Sequence, residues 1–231
     1  PVIISLVGPE DDLSIQVHPD DEHAQKIGYK RGKNEAWFFI ESDPGASIVY
    51  GQKTKNKEEL QEMINQDKWD DIYKKYPVAD GNFVYLPAGC LHAMGKGNVV
   101  YEIQQSTDVT YRFYDYHRKD KDGNERELHL KQAIDCLSFD KDIDKNDVHP
   151  VVKVHENVKE TIFISNDSFT VSQLLVIGKC QYKCDNYQLA TVVKGSGKVD
   201  EYDVKVGDNF LIPTNTSIEL DGQMMIMMTT K

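Results

Sequence analysis

The sequence predicts a mainly β chain organised as two units, and three observations carry that expectation. Short apolar runs separated by turn residues recur along its length, positions after residue 150 alternate apolar and polar, and long helical spacing is confined to one stretch in the first half. At 231 residues and 39% hydrophobic, the chain is long enough for one large or two small domains.

The elements follow in order. PVIISLV (1–7) reads as a strand. LSIQVHPDD (13–21) reads as another, with HPDDE offering a turn and a capped helix start. AWFFI (36–40) is a third apolar run of strand length. KNKEELQEMINQDKWDDIYKKY (55–76) places Leu60, Met63, Ile64, Trp69, Ile72 and Tyr73 at helical spacing, which predicts one or two helices inserted between strands. In YLPAGCLHAMG (85–95) Pro87 and Gly89 set a turn, YRFYDY (111–116) supplies a strand, and LHLKQAIDCL (128–137) reads as a short helix. The polar run at 139–150 is a linker. Beyond it TIFIS, FTVSQLLVI, YQLATVV, NFLIP and MMIMMTT predict a second small β-barrel or sandwich over 151–231, its methionines packed in the core. The expected domains are therefore 1–138, with the helical insertion at about 55–76, and 151–231.

Four residues of the first half can converge on one metal ion. Gln16 and His18 are two apart, so on a strand they share a face. Glu35 precedes the AWFFI run, and His92 follows the Pro87–Gly89 turn. Two imidazoles, a carboxylate and an amide oxygen suit zinc, and also iron, manganese or nickel. No thiolate is needed, which points to catalysis rather than a structural zinc.

Gly81, Pro87, Gly89 and His92 spell Gly-x5-Pro-x-Gly-x2-His, which resembles the second cupin motif. That resemblance implies two cupin-like antiparallel β-barrels of jelly-roll type. The first is metal-bearing with a helical insertion. The second is degenerate: Gly207 and Pro213 repeat the spacing, but no histidine follows. LSIQVHPDDEHA, GKNEAWF, LPAGCLHAMGKGN, EIQQSTDVTYRFYDY and RELHLKQAID, in that order, are similar to the short bacterial form of the type I mannose-6-phosphate isomerases. The resemblance covers residues 2–136 strongly and the rest weakly.

It implies one zinc per chain on Gln16, His18, Glu35 and His92, with Lys33, Glu102, Asp108 and Arg112 lining a sugar-phosphate pocket. The chemistry would interconvert mannose 6-phosphate and fructose 6-phosphate through a cis-enediol. That needs a base moving a proton between C1 and C2 and positive charge at the enediolate oxygens. Glu102 is the first candidate for the base, with Lys33 and Asp108 as rivals, and the Arg112 fork suits a phosphate or an enediolate oxygen. Ser5 stands where the family usually has a lysine, removing a cation from the site. Short members also carry a further segment upstream. Both departures support an alternative: a weakened sugar-phosphate-binding or regulatory paralogue that keeps the metal. A different cupin enzyme gives no role to EIQQSTDVTYR.

A formal charge of −11 argues against nucleic acid and anionic membrane surfaces. The resemblance implies a small sugar phosphate as the partner, with the chain a monomer or homodimer. No run approaches a membrane span. Cys90, Cys136, Cys180 and Cys184 are scattered, predicting free thiols in a reducing cytoplasm. Among the other histidines, His117 is the one placed to reach a phosphate from the end of YRFYDY.

Overall fold

The structure, a computed structural model, describes residues 2–140 and 142–231. Pro1, which opens the first expected strand, and Lys141, inside the expected linker, lie outside the described residues. The chain divides into a unit of Ile3–Asn146 and a second of Asp147–Lys231 that also takes in Val2.

The first unit runs β1 (Val2–Val7), β2 (Ile15–Val17), α1 (Asp21–Lys26), β3 (Glu35–Ser42), β4 (Ser47–Gln52), α2 (Lys57–Asn65), α3 (Trp69–Ile72), β5 (Tyr73–Pro77), β6 (Phe83–Leu86), β7 (His92–Ala93), β8 (Asn98–Gln105), β9 (Tyr111–Tyr114) and α4 (Leu130–Cys136). The strands form a four-stranded sheet, β1-β8-β3-β6, and a five-stranded sheet, β5-β4-β7-β2-β9. Side chains join the two: Trp37, Phe39, Val84 and Leu86 of the first sheet share a core with Ile48 and Tyr50 of the second, and Tyr50 Oη donates to Tyr85 O at 2.9 Å. Alternation along β2 turns Gln16 to this interior and Ile15 and Val17 to the opposite face. There Ile15, Val17 and Phe113 pack against Leu60 of α2, Trp69 and Ile72 of α3 and Ala133 of α4. The isoleucine, valine, leucine and phenylalanine side chains among them, fully buried, each contribute about 1.5–3 kcal/mol.

Local chemistry sets the element ends. Asp20 accepts from His23 N at 2.8 Å and starts α1 directly after the His18–Pro19 turn. Asn56 caps α2 through Glu59 N. The helical insertion stops earlier than its spacing predicts: α3 ends at Ile72, and Tyr73–Pro77 pairs with β4 as β5. Tyr73 is buried as expected, but on a strand, because the edge of β4 takes its backbone hydrogen bonds.

The second unit comprises β10 (Val151–His155), β11 (Val158–Ser165), β12 (Thr170–Ile177), β13 (Cys180–Cys184), β14 (Gln188–Val199), β15 (Tyr202–Lys205), β16 (Asn209–Ile212) and β17 (Thr216–Thr230). They make one eight-stranded sheet, ordered β10-β11-β12-β17-β14-β15, with β13 on β17 and β16 on β14. Its core is apolar: Leu174, Val192, Ile218, Leu220, Met224, Ile226 and Met228 pack together. All four cysteines are free.

The chain is mainly β, as expected. Among the described residues the first unit has two sheets joined through side chains, and the second has one eight-stranded sheet whose 15-residue strand β17 pairs with β12, β13 and β14. No helix among the described residues is long and apolar enough to cross a membrane.

Candidate metal centre

The candidate centre lies between the two sheets of the first unit. His92 opens β7 and stands directly opposite Gln16 of β2, which in turn stands opposite Arg112 of β9. Opposed residues of an antiparallel pair share a face, so the three side chains form one row. From the other sheet Glu35 begins β3, and Trp37 lies edge-on to the His92 ring at 5.7 Å between centroids. Glu35 links both imidazoles: Oε1 is 3.2 Å from His18 Nε2 and Oε2 is 3.4 Å from His92 Nε2. His18, Glu35 and His92 are all buried and offer one ligand atom each within 4.8 Å of one another.

The polarity of these groups fits a cation. His18 Nδ1 lies 3.0 Å from Val109 O and His92 Nδ1 lies 3.0 Å from Cys90 O, so each Nδ1–H donates to a carbonyl and each Nε2 presents its lone pair inward. Burial pushes the His18 pKa down to about 4 against the pull of Glu35, leaving the ring neutral near pH 7. Glu35 is held well below the usual carboxylate range, although its burial acts upward, and so stays ionised. Two inward lone pairs and a carboxylate repel one another. His18 Nε2 and Glu35 Oε2 are also buried without a hydrogen-bond partner, an arrangement that a metal ion satisfies. The Gln16 amide is 3.4 Å from His92 Nε2, and turning it by 180° presents Oε1 as a fourth donor.

The remaining expected residues differ in placement. Lys33 is buried with Nζ 3.0 Å from Glu35 Oε1. Glu102 faces inward opposite Trp37, accepting from Trp37 Nε1 and from Gln104 Nε2, each at 3.2 Å. Burial, and then the Glu35 charge, raise its pKa to about 7. Arg112 donates Nη1–H to Glu127 O at 2.9 Å, while its buried Nε lacks a partner. Asp108 is exposed between β8 and β9, one residue before the carbonyl that fixes His18. The structure thus gathers seven of the eight residues and leaves Asp108 in solvent.

One smaller expectation changes. His117 lies between carboxylates, 3.4 Å from Asp67 and 3.6 Å from Glu125, surroundings that repel a phosphate. Arg118 is taken up by Asp115. Cys90 is buried, and burial pushes its thiol pKa far above the usual range, so it is not a nucleophile. Sequence reasoning missed Trp37 and Gln104, which hold Glu102, and His129, whose Nδ1 accepts from Arg112 N at 3.1 Å. Their signal was residue type inside the GKNEAWF, EIQQ and RELHL blocks, but their roles depend on strand register.

A buried His/Glu/His set that could hold a metal ion, lying between antiparallel sheets and followed by a second β unit, is the arrangement of a cupin-class protein. Residues 159–231 match the family model described as mannose-6-phosphate isomerase, cupin domain. Mannose-6-phosphate isomerase of Streptococcus mutans is 37% identical over 233 residues, spanning 98% of this chain and 73% of that protein. The Bacillus subtilis enzyme of the same name is 36% identical over 222 residues, spanning 92% of this chain and 69% of that protein. A crystal structure of mannose 6-phosphate isomerase from Bacillus subtilis superposes with a TM-score of 0.93 at 31% identity, covering 100% of this chain and 75% of that one. The chain belongs to the mannose-6-phosphate isomerase family.

Proposed function

We propose that this chain is a metal-dependent isomerase interconverting mannose 6-phosphate and fructose 6-phosphate. The observation that carries the reading is the buried His18–Glu35–His92 set, with both Nε2 lone pairs inward, beside Lys33 and a carboxyl tuned to neutrality. The relatives' names supply the substrate.

Gln16, His18, Glu35 and His92 hold the metal, which is zinc on this reading because two imidazoles, one carboxylate and an amide oxygen match its donor preference. When bound, the ion supplies fixed positive charge close to the sugar oxygens. Glu102 removes the C2 proton of the open-chain aldose and returns it at C1, while a second proton passes from the C2 hydroxyl to O1, so that the carbonyl moves from C1 to C2. A pKa of about 7 lets the group both accept and donate near neutral pH. Trp37 and Gln104 grip both its oxygens and fix its direction. Lys33 places an ammonium beside the centre, where oxygen charge develops, and Arg112 presents a guanidinium to the phosphate or the enediolate. Asp108, in solvent, acts at most on substrate entering from outside. Residues 1–138 form the catalytic domain and 151–231 a degenerate cupin without a metal. The enzyme works in the cytoplasm, in keeping with its free thiols.

The binding-protein alternative is not favoured. One of its two grounds was Ser5, which is half-buried in β1 next to the strand that carries Glu102. Lys33 keeps an ammonium in the site without it.

The test is conversion of mannose 6-phosphate to fructose 6-phosphate before chelation, after chelation and after zinc is restored. Turnover that disappears and returns supports the reading. Folded, metal-loaded protein without turnover ends it.

A further inference from the structure

Where β3 and β8 reach the centre, their backbone ladder is handed over to side chains. Gln105 N donates to Asn34 O at 3.1 Å, as a ladder requires. The return bond is different: Asn34 N and Asn34 Nδ2 both donate to the side-chain Oε1 of Gln105, at 2.9 and 3.0 Å. The other end of the Asn34 amide then leaves the sheet, its Oδ1 accepting from Ala88 N at 2.8 Å. Gln105 is buried and Asn34 is half-buried, so these bonds are shielded from water.

The turn that Asn34 reaches is the one that organises the two imidazoles. Gly89 N donates to His18 O at 2.8 Å, and Cys90 O accepts from His92 Nδ1 at 3.0 Å. Gly89 must be glycine here, because its φ is +83° and a Cβ would meet Cys136 O at 3.1 Å and Ser138 Cβ at 3.2 Å. On the other side Glu35 follows Asn34 directly. The strand leading into it is pinned at Lys33 N, which donates to Pro19 O at 3.0 Å, over a Gly32 with no room for a side chain against Pro19 and Asp20 backbone.

We propose that Asn34 and Gln105 form a latch that sets the position of Glu35 relative to His18 and His92, and thereby the affinity of the centre for its metal. Both are positioning residues, acting through the ligands they hold. Without the Asn34 amide the turn at Ala88 is tied to the Glu35 segment only through the β3–β6 pairing that ends at Glu35 and Leu86. The carboxylate and the imidazoles are then held less firmly in register, and the metal must make up the difference at the expense of binding. Residues that orient metal ligands in this way typically alter metal affinity by about 10–100-fold. The inference rests on the proposed metal-binding role of the four ligands, but not on the substrate.

The test is zinc affinity by competition with a chelator, in full-length protein and without sugar. Asn34→Ala is expected to bind zinc about 10–100-fold more weakly than the parent. Asn34→Thr restores an acceptor for Ala88 N and a donor for Gln105, and is expected to recover to within about threefold. The metal-free melting temperatures of the two variants should agree within about 3 °C, which a general loss of stability would not give. Gln105→Met, which removes the shared acceptor, should show the same zinc defect and serves if Asn34→Ala does not fold. Zinc affinity of Asn34→Ala within about threefold of the parent, or Asn34→Thr as weak as Asn34→Ala, would overturn the latch. A parent that binds zinc but does not isomerise mannose 6-phosphate would remove the proposed function and leave the latch standing.

Discussion

The turn before His92 has a counterpart in the second unit, and the two differ in one informative way. In the first unit Gly81 leads through β6 to Pro87, to Gly89 at φ +83° and to His92. In the second, Gly207 leads through β16 to Pro213, to Asn215 at φ +58° and to Ile218. Both turns need a residue that tolerates left-handed backbone, and asparagine fills that need where glycine does so in the first. The position that corresponds to His92 is buried Ile218, packed in the apolar core. The turn therefore persists where the histidine does not. A centre additionally requires buried polar groups, each with a partner, and the first unit supplies those partners from Val109, Cys90, Trp37 and Gln104.

Breaking the polar side of this comparison should have the largest effect. His92→Ala removes a ligand and is expected to abolish turnover, a loss of more than about a thousandfold, read as conversion of mannose 6-phosphate with zinc in excess. Glu102→Gln keeps the shape and the bond from Trp37 but not the base. It should lower kcat by about a hundredfold to ten-thousandfold while zinc stoichiometry stays that of the parent. On the apolar side, Ile218→Ala should cost about 2–4 kcal/mol in denaturant unfolding of the second unit, with kcat of the folded enzyme unchanged. Asn215→Val forces a β-branched residue into left-handed backbone and should cost about 1–2 kcal/mol in the same measurement.

A finer test concerns the charge state of His18. Its pKa is lowered from 6.5 to about 4, so the unfolded chain takes up this proton before the folded one does. The stability it contributes is present above pH 6.5 and is lost as pH falls towards 4. In metal-free protein the His18 imidazole resonance should titrate near pH 4; a midpoint near 6.5 would show that the ring is not held neutral.

Much of the centre was legible because ligand chemistry restricts residue type. Gln16 and His18 two apart, Glu35 at the head of an apolar run and His92 behind a Pro-Gly turn stand out in the chain itself. The residues that hold them do not stand out. Trp37 reads as core, Gln104 and Asn34 as ordinary amides and His129 as a helix residue, and each gains its role only when the register sets Trp37 opposite Glu102 and Gln16 opposite Arg112. The strand after α3 was illegible for a related reason: helical spacing continues through Tyr73, and the pairing of Gln52 with Tyr73 that overrides it is non-local.

The contrast between the units is tested most directly by counting zinc in purified protein, as the parent chain and as His18→Ala and His92→Ala. One zinc per parent chain, and none in either folded variant, is the predicted result. Undiminished zinc in both variants would place the metal elsewhere and contradict the assignment of the centre to the first unit.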